Sequence, residues 1–365
     1  MSKLRLFGAQ AGVPMALVLA LSSLVGCSSD ASPSSEPTPA SVVSAMHDSL
    51  LNDIHDLRAA AVAMQAAAPT PTDRGWDATL DADAIAATKT AWKKARTAYE
   101  YTEGALAPIF PDIDVSIDYR YDDYLAELPN GDTNLFDDQG VTGLHGAERI
   151  LYADAIPENV VEFESTLTGY EPAAFPATAA QATSFKTLLL GKIISDADEL
   201  EAGWDQSKNI NLSEAFTGLV SLMNEQREKV NKAATSEEES RYSQRTMTDI
   251  RANLEGTRKI YALFKPYLQS KTNAIDPTLD GPTLNLAIEA GFAKLDQLYA
   301  QVDGEAIPKP PATWSSESPS AADLDSDFGK LYEGVQTAVS MDSEDSVVVN
   351  MNHALTAMGF DQPSQ

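Results

Sequence analysis

The chain has 365 residues, of which 26 are Lys or Arg and 54 are Asp or Glu, for a formal net charge of −28 at pH 7. A surface this negative repels phosphate backbones and anionic headgroups, which excludes nucleic-acid binding and electrostatic adsorption to an anionic bilayer. It attracts cations, although most of the acids serve only to solvate helix faces. Cys27 is the single cysteine, so no intrachain disulfide can form.

The first 26 residues read as a lipoprotein signal peptide. Lys3 and Arg5 precede an apolar stretch from Val13 to Leu24, and Leu24-Val25-Gly26-Cys27 follows. A membrane-spanning helix needs about 20 apolar residues, more than this stretch has. Cys27 is the expected lipid acceptor, so the membrane is a partner through that anchor. The protein is expected in the cell envelope, facing the periplasm or the cell exterior. Residues 27–40 continue as SSDASPSSEPTPA after the cysteine. With no large apolar residue to bury, they form a flexible tether. A folded part of about 325 residues, starting near Ser41, is long enough for one large domain or two smaller ones.

Met46, Leu50, Ile54, Leu57, Ala61 and Met64 recur every three or four residues and predict a helix over 41–67. The run APTPTDRGWD breaks it. A second helix over 83–107 carries Ile85, Trp92, Ala95, Tyr99 and Leu106 on one face, and Pro108 and Pro111 are expected to end it. Helical windows follow at 143–153, 179–201 and 212–232. Met247, Ile250, Leu254, Tyr261, Phe264 and Leu268 mark another, with further windows at 283–302, 321–340 and 346–358. Segments 171–176 and 305–319 are rich in Pro and polar residues and read as loops. Strand-like alternation is almost absent. So many single-stripe helices bury their faces most simply as an all-α bundle.

Chemistry concentrates around one of the four histidines. His145 lies in VTGLHGAERIL, where Leu144, Ala147, Ile150 and Leu151 supply an apolar stripe. Side chains three apart on a helix emerge about 5–6 Å from each other, so His145 and Glu148 can converge on one ion. Carboxylate-bridged iron bundles use the same spacing in the order Glu-x-x-His. Such pairs also recur as surface or capping contacts, and here the surroundings favour a site. Glu100 and Glu103 occupy adjacent turns of the preceding long helix, and an acidic segment spans 111–123. Within it Asp112, Asp114, Asp122 and Asp123 read as solvated. Asp118 lies between Ile117 and Arg120, a residue able to hold a carboxylate in place. His47 and His55 read as a solvated helix face, and His353 as packing on the last helix. The methionines fall in apolar stripes and form no soft-metal site.

Ala95-Arg96…Tyr99-Glu100…Glu103, then Asp112-Ile113-Asp114…Ile117-Asp118-Tyr119-Arg120…Asp122-Asp123, then Thr142-Gly143-Leu144-His145-Gly146-Ala147-Glu148 resemble the imelysin (peptidase M75-like) family. Within it the chain is most similar to the EfeM/EfeO branch of iron-uptake lipoproteins. Gly143 to Glu148 match the family's G-x-H-x-x-E hallmark. The specific likeness covers about residues 92–152, and a looser one reaches Asp249–Gly256. The resemblance implies two packed four-helix-bundle-like halves, here about 41–175 and 176–365. It also implies a metal site of His145, Glu148, Glu100 and Asp118, with Arg120 and Glu103 in supporting positions. Iron is the implied ion, with zinc or another divalent cation as alternatives. The chain departs from the family pattern at Gly104, where a proline is usual, and at Ala107, which replaces an acid. ELPNGDTNLFDDQG, between Asp118 and His145, is also longer than usual. No cupredoxin-like domain precedes the helical part, which places it nearer the short EfeM form.

The expected function is therefore non-enzymatic: an iron-binding component of an EfeUOB-type uptake system. Its implied partners are an iron permease and a haem peroxidase of the same system. A His-plus-carboxylate set is hard and oxygen-rich, and suits iron or manganese better than copper(I). One alternative is a metallopeptidase of the imelysin type, although the chain has no His-Glu-x-x-His helix. Another is a metal-bridged binding protein for an acidic polysaccharide, which needs a basic groove that so acidic a chain can hardly spare.

Overall fold

The computed structural model describes residues 36–127, 134–206 and 210–360. The expected signal peptide, the lipidation site Cys27 and most of the tether lie outside the described residues.

The folded unit begins at Pro37. Helix α1 (Pro39–Ala67) starts at a capping box between Thr38 and Ser41 and buries Met46, Leu50, Ile54, Leu57, Ala61 and Met64. Helix α2 (Ala82–Ile109) runs through Pro108 instead of stopping before it. Proline in the last turn removes one backbone hydrogen bond, to the Gly104 carbonyl. That carbonyl faces Gly218, where a Cβ would lie 2.0 Å from it.

The acidic segment, for which no helix was expected, forms two short ones, α3 (Pro111–Asp118) and α4 (Tyr121–Glu127). Helices α5 (Gly143–Leu151), α6 (Glu158–Glu164) and α7 (Ala179–Ser184) follow. A π turn at Phe185–Leu189 leads into α8 (Leu190–Gln206). Then come α9 (Leu212–Lys232), α10 (Thr246–Gln269) and α11 (Gly281–Tyr299). The window expected at 321–340 is interrupted. A short α12 (Ala321–Leu324) gives way to α13 (Asp327–Val339), which Ser326 caps through the Gly329 N–H. Helix α14 (Val347–Met358) ends at Gly359 in the left-handed region. Among the described residues there is no strand. Segments 171–176 and 305–319 are irregular apart from turns, as expected.

The helices pack as two bundles that share a spine. In the first, α1 packs on α2 and α8, and α2 packs on α9 and α10. In the second, α9 and α10 pack with α11, α13 and α14. Helix α8 lies beyond residue 175 yet packs on α1, so the packing groups do not follow chain order at that point. One continuous apolar core runs through both bundles. Each fully buried Leu or Phe in it contributes about 1.5–3 kcal/mol. No described helix is long and apolar enough to cross a membrane.

The spine has one consequence for chemistry. The middle of α2 is enclosed by neighbours, yet it carries Arg96, Glu100 and Glu103, all buried. Charges removed from water are tolerated only when paired and hydrogen-bonded. The partners come from α3, α9, α10 and the connection between α9 and α10.

Candidate metal centre

Gly143 starts α5 with φ +72°, and a Cβ there would lie 2.2 Å from the Ile117 carbonyl oxygen. Only glycine permits both that backbone conformation and that approach. The result is that α5 begins directly against the end of α3, which brings His145 beside Asp118. The Trp92 indole N–H donates to the Leu144 carbonyl at 2.8 Å and ties α5 to α2.

A third segment enters from the connection between α9 and α10. Ser236 (φ 65°) and Gln244 (φ 56°) bracket it in the left-handed region, a conformation that costs a non-glycine residue energy and persists only when the surroundings enforce it. Here the anchors are Tyr242, whose hydroxyl donates to Glu164 at 2.5 Å, and Arg241, which pairs with Asp122. Arg120 adds hydrogen bonds to the Glu237 and Glu238 carbonyls. Held this way, Glu239 is buried against α2 and α5.

His145 Nε2 lies 3.2 Å from Asp118 Oδ1 and 3.3 Å from Glu239 Oε1. It is buried between these two carboxylates. Ligand-capable atoms of Asp118, His145 and Glu239 all fall within 4.8 Å of one another. The other ring nitrogen, Nδ1, faces Glu148 Oε2 at 3.4 Å. Glu148 Oε1 accepts the Ser243 backbone N–H at 2.8 Å.

Around this group the charges interlock. Arg96 pairs through Nη1 with Asp118 and through Nη2 with Glu100, and also through Nη2 with Glu239 at 2.8 Å. Lys229 Nζ lies 3.4 Å from Glu103, 3.6 Å from Glu239 and 3.7 Å from Glu100. The Asn253 amide donates to Glu100 and, at 2.8 Å, to Glu103. Asp249 accepts from the Ser240 hydroxyl. Glu100, Glu103, Asp118, Glu148, Glu239 and Asp249 thus gather around Arg96, Arg120, Lys229 and the His145 ring.

The titration behaviour follows from these pairs. For His145, burial and Arg96 oppose a charged ring, but Asp118 and Glu148 outweigh them and lift its pKa to about 10. Burial would raise Asp118, yet Arg96 and His145 pull it down to about 2. Glu239 is likewise held well below the ordinary range, because Lys229 and His145 outweigh its burial. Burial dominates at Glu100, which is raised well above its usual value, and at Asp249, raised to about 6.

The group opens to solvent through a cavity of about 170 Å³ lined by Glu103, Asp118, Arg120, Glu225, Lys229 and Glu239. The Asp118 side chain is 22% exposed and that of His145 only 3%. An ion would therefore meet Asp118 first.

The sequence profile of imelysin, peptidase M75, matches residues 43–309. This chain belongs to the imelysin family. An Efem/EfeO family lipoprotein of Staphylococcus haemolyticus is 30% identical over 230 residues, 62% of this chain and 63% of that protein. One from Staphylococcus aureus is 28% identical over 217 residues, 59% and 58% of the two chains. This imelysin thus spans about three-fifths of the length of these curated relatives. A crystal structure described as an iron-regulated protein A precursor from Parabacteroides distasonis superposes with a TM-score of 0.58 at 15% identity. The superposition covers 89% of this chain and 97% of that one, a likeness of fold.

In this imelysin the structure brings His145 and Asp118 together at the mouth of the site. Glu148 sits behind the imidazole, on Nδ1, while Asp118 lies beside Nε2. Glu100 and Glu103 lie one layer deeper, on Arg96, Lys229 and Asn253. Arg120 acts mainly on the loop that carries Glu239. Two acids read as solvated are partnered instead. Asp114 accepts from the Tyr99 hydroxyl and is raised by burial to about 7, while Asp122 pairs with Arg241. Asp112 and Asp123 are exposed. His47 does not lie on a solvated face, because its ring stacks near Trp204 at 6.3 Å and its Nε2 is buried. His55 is exposed beside Glu201, and His353 is partly buried on α14.

Sequence reasoning missed Glu239. It sits in SEEESRYSQR, which reads as a polar, solvated turn. The available signal was the lack of Gly or Pro in so polar a connection, since a free turn of that length normally contains one.

Proposed function

We propose that this imelysin is an exported, lipid-anchored protein that binds iron as cargo, a component of an EfeUOB-type uptake system. One observation carries the reading: the buried Nε2 of His145 stands between two carboxylate oxygens, and ligand-capable atoms of Asp118, His145 and Glu239 all lie within 4.8 Å of one another. The site gathers one imidazole nitrogen and carboxylate oxygens from three separate segments, a donor set that a metal ion can take by displacing the proton on Nε2. His145, Asp118 and Glu239 supply the donors. Glu148 fixes the ring through Nδ1, the arrangement that orients metal-bound histidines and makes them more basic. Glu100 and Glu103 add negative charge behind them. One imidazole with carboxylates and no thiolate favours iron or manganese, with zinc a weaker candidate.

The relatives' names, Efem/EfeO family lipoproteins, support the lipid, and the resemblance to that branch supports the iron. Cys27 is the acceptor in this chain, and an iron permease and a haem peroxidase of the same system are the partners. A catalytic metal keeps an open position beside a free general base. Here Glu100, Glu103 and Glu239 are engaged by Arg96, Lys229 and Asn253, which favours a carrier over a peptidase.

Titration calorimetry with iron(II) under anaerobic conditions tests this reading. The parent should bind about one equivalent, His145→Ala and Glu239→Ala should lose binding at least a hundredfold, and His47→Ala should match the parent. Equal binding by the parent and the His145 variant would sink the proposal.

A further inference from the structure

Two oxygen atoms in this site face two partners each. Asp118 Oδ1 faces His145 Nε2 and also Arg96 Nη1. Glu239 Oε1 faces His145 Nε2 and also Arg96 Nη2. The donors best placed to take an ion are therefore already held by a guanidinium that is completely buried. Arginine stays protonated even when buried. Its charge at this depth is poorly screened by salt, so it repels any cation that approaches the same oxygens.

The surroundings of Arg96 also offer it another resting place. Its Nε makes no hydrogen bond and lies 3.8 Å from Asp249 Oδ2. Asp249 Oδ1 is a buried acceptor without a hydrogen bond, and Glu100 Oε1 already pairs with Arg96 Nη2. A shift of about 1 Å would bring Nε within charge-assisted hydrogen-bond distance of Asp249. We infer that Arg96 is a built-in counter-cation of the cargo site. It pairs with Asp118 and Glu239 while no ion is bound, competes with the ion for their oxygens, and moves onto Asp249, keeping Glu100, when the ion enters. The inference rests on the cargo reading proposed above. Its consequence is a set affinity: the site stays stable when empty, and the returning guanidinium favours release, as a carrier that must pass its ion on requires.

The contrasting role is that of a positioning residue, in which the Arg96 fork holds the two carboxylates ready for the ion. The two roles predict opposite signs. Manganese(II), which resists oxidation in air, is the probe, measured by titration calorimetry on the purified protein alongside thermal melts of the metal-free state. For Arg96→Met the competition account expects manganese affinity to rise at least tenfold. It also expects a lower melting temperature without metal and a larger upward shift when metal is added. Arg96→Lys keeps the charge and is the variant more certain to fold. One ammonium cannot grip both oxygens as the fork does, so its affinity should rise several-fold. Unchanged or weaker binding in either folded variant would overturn the inference and make Arg96 a positioning residue. Absence of manganese and iron binding in the parent would instead remove the cargo reading, and this inference with it.

Discussion

Loading the site should expel a proton across most of the accessible pH range. An isolated histidine titrates near 6.5, so from sequence alone the affinity is expected to weaken only below that pH. The structure moves the transition, because Asp118 and Glu148 overcome burial and raise His145 to about 10. Both ring nitrogens then carry protons in the metal-free protein at neutral pH, and the ion must displace the one on Nε2. Apparent affinity should fall about tenfold for each pH unit below 10. At pH 7 it should stand about three orders of magnitude, or about 4 kcal/mol, below its high-pH limit. Calorimetry in two buffers of different ionisation enthalpy, at about pH 7.5, counts the protons released and should give at least one per ion. No release at that pH, with affinity flat up to about pH 9, would refute the argument. The same pairs bear on the metal-free fold. The stability contributed by His145 is fully present below 6.5 and lost as pH rises through about 10. That contributed by Asp118 is present above 3.8 and lost as pH falls through about 2.

Glu148→Ala leaves the ligands in place but removes the group that orients the ring, so metal affinity should drop about 10–100-fold. A loss as complete as that of His145→Ala, measured by the same titration, would mean that Glu148 itself binds the ion. Gly143→Ala meets both a positive φ and the Ile117 carbonyl. Denaturant unfolding should show a loss of about 2 kcal/mol or more, and a neutral effect would contradict the assigned junction of α3 and α5. If Cys27 carries the lipid, Cys27→Ala should leave the protein unprocessed or free of the membrane fraction. Unchanged membrane association in that variant would end the lipobox reading.

The helices were legible in the sequence wherever one apolar stripe met one buried face. The six predicted stripe residues of α1 are all buried, and the window around Met247–Leu268 matches α10 closely. Pro108 misled because its cost depends on where in the helix it falls, and in the last turn that cost is a single hydrogen bond. Helices α3 and α4 were missed because their acids dominate the pattern. Their burial is decided by tertiary partners, Tyr99 for Asp114 and Arg241 for Asp122. The same limit governs the site. His145 and Glu148 are neighbours by helix geometry alone, so their spacing could be read directly, though the opposite sides of the ring they face could not. Asp118 was reachable through its flanking residues. Glu239 was not, because nothing local brings a polar connection between α9 and α10 into the interior. Its place is set by Arg120, Arg241 and Tyr242, whose partners lie far away in the chain.

Anomalous diffraction at the iron absorption edge, from crystals of the iron-loaded protein, tests the central claim most directly. The account predicts one strong peak within about 2.0–2.3 Å of His145 Nε2 and of carboxylate oxygens from Asp118 and Glu239, close to the distances usual for nitrogen and oxygen ligands. A peak located elsewhere in the molecule, or none at His145 in fully loaded crystals, would contradict it.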